Sequence, residues 1–277
     1  MWQSSFNIRL IICIVLNLIV INCYADSRTS ELPWQERPEW QQIFSAQQAN
    51  GTIVIADLRQ AQLLVYNAAR AAQRYTPAST YKIPHTLMAL DAGMISSAEQ
   101  LFRWDGTEHS FKLHNQDQTL SSAMRYSAVW VYRELADVIG AARAGQYLAK
   151  LAYGNASVAT TEGDYWIDGE LAISAFEQVK FLQDLYAERL PFSMAHQQLV
   201  KTLLVNEQGE DWQLYAKTGW QGKYGWWVGW VALPAGPVFF ALNIDTPNRL
   251  DDLPKRELIG RAVLRAINAL PEDQNQR

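Results

Sequence analysis

Apolar positions along the chain follow two different periods, and the switch between them divides it into three parts. Near the start, residues 52–57 (Thr-Ile-Val-Ile-Ala-Asp) and 62–66 (Gln-Leu-Leu-Val-Tyr) are β-rich runs with a short polar connection, which predicts a hairpin. Near the end, residues 212–217, 224–233 and 238–245 are three more strand-like runs with turn signals between them. The middle has helical spacing instead. One helix begins near Ser79 and ends at Gly93, a C-cap glycine. Residues 127–151 are strongly helical, with Gly140 and Gly145 dividing the run. Residues 174–189 carry Phe176, Val179, Phe181, Leu182 and Leu185 on one helical side, Pro191 closes the segment, and a further helix extends to about Val205.

Shorter elements complete the pattern. Trp34, Trp40, Ile43 and Phe44 recur at helix-like intervals, predicting a short N-terminal helix over 31–45. Residues 101–126 are mixed and polar, with short helical pieces, and a loop rich in Thr, Gly and Asp leads from Asn155 to Tyr165-Trp166. A last helix covers Pro254 to about Leu270, and the polar tail 271–277 is expected to fray. No internal repeat or low-complexity segment is present. Strands at both ends and helices between them imply an α/β (α+β) fold. Its expected core is one antiparallel sheet of about five strands, flanked by terminal helices and joined to a helical lobe. The sheet lobe takes residues 26–75 and 207–277 and the helical lobe 76–206, in a single domain 26–277 with a cleft between lobes for a site.

The first 25 residues read differently. Arg9 is their only charge, residues 10–21 are an almost unbroken apolar run, and Cys23-Tyr24-Ala25 offers small residues for cleavage, which is the pattern of a secretory signal. The run is short for a membrane span, which needs about 20 residues; an uncleaved anchor is the alternative, and a lipid on Cys23 is disfavoured by the bulky Asn22 before it. Cleavage would remove both cysteines, Cys13 and Cys23, so the exported protein would have no disulfide and must be stabilised by its core. Losing Arg9 and no acid takes the formal charge from -4 to -5. A mildly acidic chain with no basic block gives no electrostatic case for nucleic acid. The 11 tryptophans, three of them at 226, 227 and 230, are expected mainly in the core.

Candidate chemistry concentrates at Ser79-Thr80-Tyr81-Lys82. On a helix, residues i and i+3 share a face, so a lysine amine can lie beside the serine hydroxyl. Alone, the pair also reads as a capping serine with a solvent-facing lysine. The flanking Tyr81, Ile83, Leu87 and Met88 favour a buried lysine, whose pKa would fall until the neutral amine can take the serine's proton. Lys217-Thr218-Gly219 ends a strand-like run; an edge strand there would offer backbone groups and a cation to a carboxylate-bearing substrate, with Gly219 allowing close approach. Ser127-Ala128-Val129 also reads as an N-cap of the long helix, and Tyr153-Gly154-Asn155 as a left-handed C-cap. The four histidines, at 85, 109, 114 and 196, have no metal-ligand spacing, which speaks against a catalytic zinc. Nor is there a G-x-S-x-G elbow or a glycine-rich phosphate loop.

In this order and at these separations, the motifs resemble the penicillin-recognising serine enzymes, with their S-x-x-K and K-T-G signatures. Within that group the chain is similar to a class D (oxacillinase-type) serine β-lactamase. The likeness rests on Pro77-Ala78-Ser79-Thr80-Tyr81-Lys82, Ser127-Ala128-Val129, Tyr153-Gly154-Asn155, Trp166-Ile167-Asp168-Gly169, Gln178-Val179-Lys180-Phe181-Leu182, Lys217-Thr218-Gly219 and Trp226-Trp227-Val228-Gly229-Trp230. It implies the β-lactamase/transpeptidase-like fold and hydrolysis of penicillins and related antibiotics through an acyl-Ser79 intermediate, conferring resistance.

The resemblance also implies roles. Lys82 would carry a carbamate derived from carbon dioxide and act as general base, steadied by the indole N–H of Trp166. Ser127 would relay a proton to the leaving nitrogen, and the N–H groups of Ser79 and Trp220 would form an oxyanion hole. Lys217, Thr218 and Arg256 would hold the substrate carboxylate, with Gly219 and Val129 also in contact. No metal is implied, and the protein would be a periplasmic monomer or homodimer. The chain departs from the family at Ala128, where valine is common, and at Ile167, where leucine is common; its connection over 220–225 is several residues shorter than in carbapenem-hydrolysing relatives, which should open one wall of the cleft to bulkier substrates. Two other readings use the same motifs: a penicillin-binding sensor that is acylated without turnover, and a D,D-peptidase. A sensor usually hangs from several membrane spans, and a peptidase usually has asparagine where this chain has Val129.

Overall fold

A computed structural model describes residues 34–160 and 164–272. The expected leader, the first residues of the 31–45 helix and the end of the polar tail lie outside them. Seven strands form one sheet in the order β1-β3-β2-β9-β8-β7-β6. They are β1 (Trp34–Glu36), β2 (Gly51–Asp57), β3 (Gln62–Tyr66), β6 (Val205–Gln208), β7 (Gln213–Trp220), β8 (Tyr224–Ala232) and β9 (Val238–Asp245). A separate two-stranded ribbon joins β4 (Leu101–Phe102) to β5 (Gln118–Thr119). The helices are α1 (Gln41–Ala46), α2 (Ala68–Ala71), α3 (Lys82–Asp91), α4 (Leu120–Tyr126), α5 (Val129–Ile139), α6 (Ala141–Leu151), α7 (Ala175–Tyr186), α8 (Met194–Leu203) and α9 (Leu253–Ala266).

Five of the seven strands are those the alternation predicts; β1 and β6 are additional. Both have a physical reason for escaping notice. β1 is three exposed residues paired in parallel with β3, and β6 is the polar run Val-Asn-Glu-Gln, mostly exposed. Edge strands this short and polar carry no buried face to pattern them. The N-terminal helix accordingly shortens to α1, preceded by β1 and a 3-10 turn at Pro38–Trp40.

The sheet is covered on both faces. Along β8, Trp226, Val228 and Trp230 enter one core while Trp227 and Val231 enter the other, the period-two alternation of a strand. α7 lies on β2, β8 and β9, and α9 packs on β8 and β9 with α1 beside it. Close approach of α9 depends on Gly260. A Cβ there would stand 2.3 Å from Cε3 of Trp227, whose side chain is 1% exposed. Alanine would gain about 1 kcal/mol of helix propensity, but overpacking a buried ring costs about 1–3 kcal/mol. Gly260→Ala is therefore expected to leave the melting temperature level or lower it by up to roughly 8 °C; a rise in a thermal melt would contradict this packing.

Between the sheet-forming segments, α3 is buried at every position from Lys82 to Leu90 and packs against α5 and α8. Of the two glycines expected to divide the 127–151 run, Gly140 does so, at φ +72° between α5 and α6. Gly145 remains inside α6, where only Val158 comes near it.

Candidate active site

Pro84 cannot donate to the Thr80 carbonyl, and the chain enters α3 through a 3-10 turn, Ala78–Tyr81, so the α-helix begins at Lys82 rather than near Ser79. Lys82 Nζ lies 3.2 Å from Ser79 Oγ. The turn before the serine is strained, because Ala78 sits at φ +48°, left-handed space that a side chain disfavours. Neighbours hold it there. Ala78 N–H donates to Trp166 O at 2.9 Å, Thr80 Oγ1 donates to Pro77 O at 2.7 Å, and Gln178 Nε2 donates to Thr80 Oγ1 at 2.8 Å.

Lys82 is fully buried, with its Nζ 4.7 Å from the ring centroid of Tyr132. Burial lowers its pKa to about 7; the carboxylate of Asp164 opposes that fall and the guanidinium of Arg133 adds to it. Asp164 is itself paired with Arg133 at 2.9 Å, which limits its help to the lysine. Trp166 is 2% exposed and its indole Nε1 has no hydrogen-bond partner.

Ser127 is not the N-cap of a long helix. It follows α4 at φ +58°, as that helix's left-handed C-cap, and α5 starts after Ala128. This backbone turns its hydroxyl to Lys217, whose ammonium donates to Ser127 Oγ and, at 3.0 Å, to Thr218 O. The Lys217-Thr218-Gly219 motif does not end its strand, because β7 continues to Trp220. β6 pairs only with the first half of β7, and the last outer contact is Ala216 N–H to Leu204 O at 2.9 Å. With a period of two, the N–H groups of Thr218 and Trp220 face the same, now open, edge. The nucleophile turn packs on this half of β7, and a Cβ on Gly219 would stand 2.9 Å from Pro77 O.

Arg256, on the first turns of α9, donates to Gly219 O and Leu253 O, both at 2.8 Å. Burial brings its pKa down to about 10. Lys217, 5% exposed, is pushed well below the ordinary lysine value, by burial first and then by the charges of Lys82 and Arg256. The charges of Lys82 and Arg256 thus both bear on Lys217, and an anion beside it would favour its charged form.

Ser79, Ser127, Val129, Thr218, Gly219, Trp220 and Arg256 line a common cavity of about 210 Å³. Lys82, hydrogen-bonded to Ser79, and Trp166 are not on its wall. A larger cavity of about 380 Å³ shares Arg125 and Thr218 with it and has Lys217, but not Ser79, on its wall. Ile167 also lines the cavity, and Phe111, His114, Arg125, Tyr126 and Leu253, which complete it, were missed by sequence reasoning. The first four come from the mixed stretch before Ser127, where exposed Phe111 and buried His114 carry no shared pattern that a sequence would show.

Tyr153-Gly154-Asn155 serves the frame. Gly154 sits at φ +56° with Ala172 O where its Cβ would be, and the Asn155 side chain donates to Glu170 O and accepts from Ala172 N–H. Among the described residues, no group of His, Cys, Asp and Glu side chains is arranged to hold a metal ion. Nor is any helix among them long and apolar enough to cross a membrane.

The penicillin binding protein transpeptidase domain model matches residues 45–265. Beta-lactamase OXA-20 of Pseudomonas aeruginosa is 59% identical over 238 residues, spanning 85% of this chain and 90% of that protein. Beta-lactamase OXA-2 of Salmonella typhimurium is 56% identical over 263 residues, or 94% of both. Among solved structures, FUS-1 (OXA-85), a class D β-lactamase from Fusobacterium nucleatum subsp. polymorphum, superposes with a TM-score of 0.82 at 34% identity. That match covers 86% of this chain and 100% of the other.

Proposed function

The chain belongs to the class D serine β-lactamases, hydrolases of the β-lactam amide, and from that premise we propose how its residues perform the reaction. Ser79 Oγ attacks the lactam carbonyl while its proton passes to Lys82. The observation that carries this assignment is a fully buried lysine with a pKa of about 7, placed 3.2 Å from the serine oxygen. A serine beside an ordinary ammonium would have no base. Backbone N–H groups of Ser79 and Trp220 receive the developing oxyanion, at a strand edge already stripped of other partners. The C–N bond then breaks, and Ser127, hydrogen-bonded to Lys217, delivers a proton to the leaving nitrogen. Lys217, Thr218 and Arg256 take the substrate carboxylate. Water then releases the acyl group from Ser79.

The residues around Lys82 fit the carbamate of this family: the amine can be neutral, and Trp166 Nε1 is a buried donor with no other partner. When present, the carbamate supplies a carboxylate-type base at the position from which both Ser79 and a deacylating water lose their protons. The connection from β7 to β8 is a tight turn, with Gly222 at φ +86°, leaving that wall open to penicillins with bulky side chains. Export to the periplasm on the N-terminal apolar segment completes the reading.

The test is the pH dependence of kcat/KM for benzylpenicillin, with and without added bicarbonate. A protonated Lys82 can neither accept the serine proton nor be carbamylated. Without bicarbonate, activity should therefore fall about tenfold per pH unit below about 7, and bicarbonate should raise it above that point. A profile flat from pH 5 to 8 and indifferent to bicarbonate would remove Lys82 from the mechanism.

A further inference from the structure

His85 stands three residues after Lys82 on α3, so Ser79, Lys82 and His85 follow one another along a single helical stripe. It is 0% exposed, and neither ring nitrogen has a hydrogen-bond partner. A neutral imidazole always presents one N–H donor and one acceptor, and burying both unpaired is costly where a leucine would cost nothing. Burial, with a smaller push from the charge of Lys82, lowers its pKa to about 3, so protonation does not solve the problem.

The surrounding side chains do not solve it either. The ring packs against Tyr81, Tyr132 and Trp166, at centroid separations of 5.2, 5.6 and 5.4 Å. The Tyr81 hydroxyl is engaged with Tyr165 at 2.7 Å and that of Tyr132 with Thr86 at 2.9 Å. Trp166 Nε1 is itself unpartnered, and the two rings meet edge-on at 5.4 Å without a hydrogen bond between them. Tyr132 ties the pair to Lys82: its ring centroid lies 5.6 Å from that of His85 and 4.7 Å from Lys82 Nζ, and the charge of Lys82 acts on His85. A small group with two acceptor oxygens on that lysine would serve both N–H donors.

We propose that His85 is a positioning residue whose imidazole N–H, together with the indole N–H of Trp166, holds the carboxylate-type group carried by Lys82. This rests on the carbamate reading of Lys82 given above. The second donor would set how tightly the site retains carbon dioxide rather than take part in bond-making.

The experiment titrates the full-length mature enzyme with ¹³C-bicarbonate and follows the carbamate carbon by NMR, for wild type, His85→Phe and His85→Asn. Phenylalanine keeps a packed ring and removes both nitrogens; asparagine keeps a donor and an acceptor. His85→Phe is expected to need about tenfold more bicarbonate for half-loading, the loss of one hydrogen bond. Its penicillin turnover should recover at high bicarbonate, and His85→Asn should load within about threefold of wild type. Equal loading of wild type and His85→Phe, with only the melting temperature changed, would make His85 a core residue and overturn the proposal. Should His85→Phe fail to fold, the wild-type protein decides. A His85 ring N–H resonance should shift on adding bicarbonate and stay put in Lys82→Ala; an unmoved resonance in wild type overturns the proposal. No carbamate signal in wild type would sink the Lys82 reading, and this inference with it.

Discussion

Lys82→Ala is expected to lower kcat/KM for benzylpenicillin on the order of 10⁴-fold, the upper end for loss of a general base, and to abolish any response to bicarbonate. Among the described residues, Lys82 is the side chain hydrogen-bonded to the Ser79 hydroxyl. Stability should move the other way. A fully desolvated amine is a cost to the fold, so Lys82→Met, which fills the space with apolar atoms, should melt at or above the wild-type temperature while remaining inactive. That pairing separates a catalytic lysine from a structural one. Loss of activity together with a large fall in melting temperature would point to damaged packing instead.

Ser127→Ala is expected to cost roughly 10²–10⁴ in kcat with a smaller change in KM, the range for removing a proton relay. Its φ of +58° is strained for serine and alanine alike, since both carry a Cβ, so the variant needs a control for loss of the turn once the Lys217 hydrogen bond is gone. Glycine supplies it. Ser127→Gly relaxes the left-handed position without restoring the hydroxyl, so it should be as inactive as alanine. Recovery of activity in the glycine variant would show that the backbone, not the hydroxyl, matters at this position. In both variants Lys217 loses its acceptor on Ser127 but keeps Thr218 O, so the carboxylate site should survive.

Much of this was legible in the sequence because burial leaves a period. β2, β3, β8 and β9 each have buried residues facing two cores, β7 has Leu214 and Ala216 in one and half-buried Tyr215 against the other, and alternation with β-branched and aromatic residues marks them. The Ser79–Lys82 pairing was legible because spacing alone puts both on one helical stripe. The failures occurred where nothing is buried or where tertiary contacts choose between local options. β1 and β6 show no apolar face, and between Phe111 and Tyr126 the helical spacing is confined to Leu120, Ala123 and Met124 of short α4. Ser127 satisfies the rule for an N-cap, yet tertiary packing makes it a C-cap, and only that left-handed turn aims the hydroxyl at Lys217. Arg256 was placed through likeness; the fold brings it to the cleft because Gly225 leaves room for its stem, a Cβ there coming within 2.7 Å of Arg256 Cδ. His85 was noticed only as a histidine without metal spacing, since an unpartnered nitrogen is a property of the packed core and not of the sequence.

The most direct test of the central claim is a rapid-quench time course of the wild-type enzyme with benzylpenicillin, followed by intact-mass measurement and peptide mapping. A penicilloyl adduct on Ser79 that forms within the first turnover and clears at the rate of kcat is the expected result. An adduct on another residue, or one on Ser79 that persists without turnover, would contradict it.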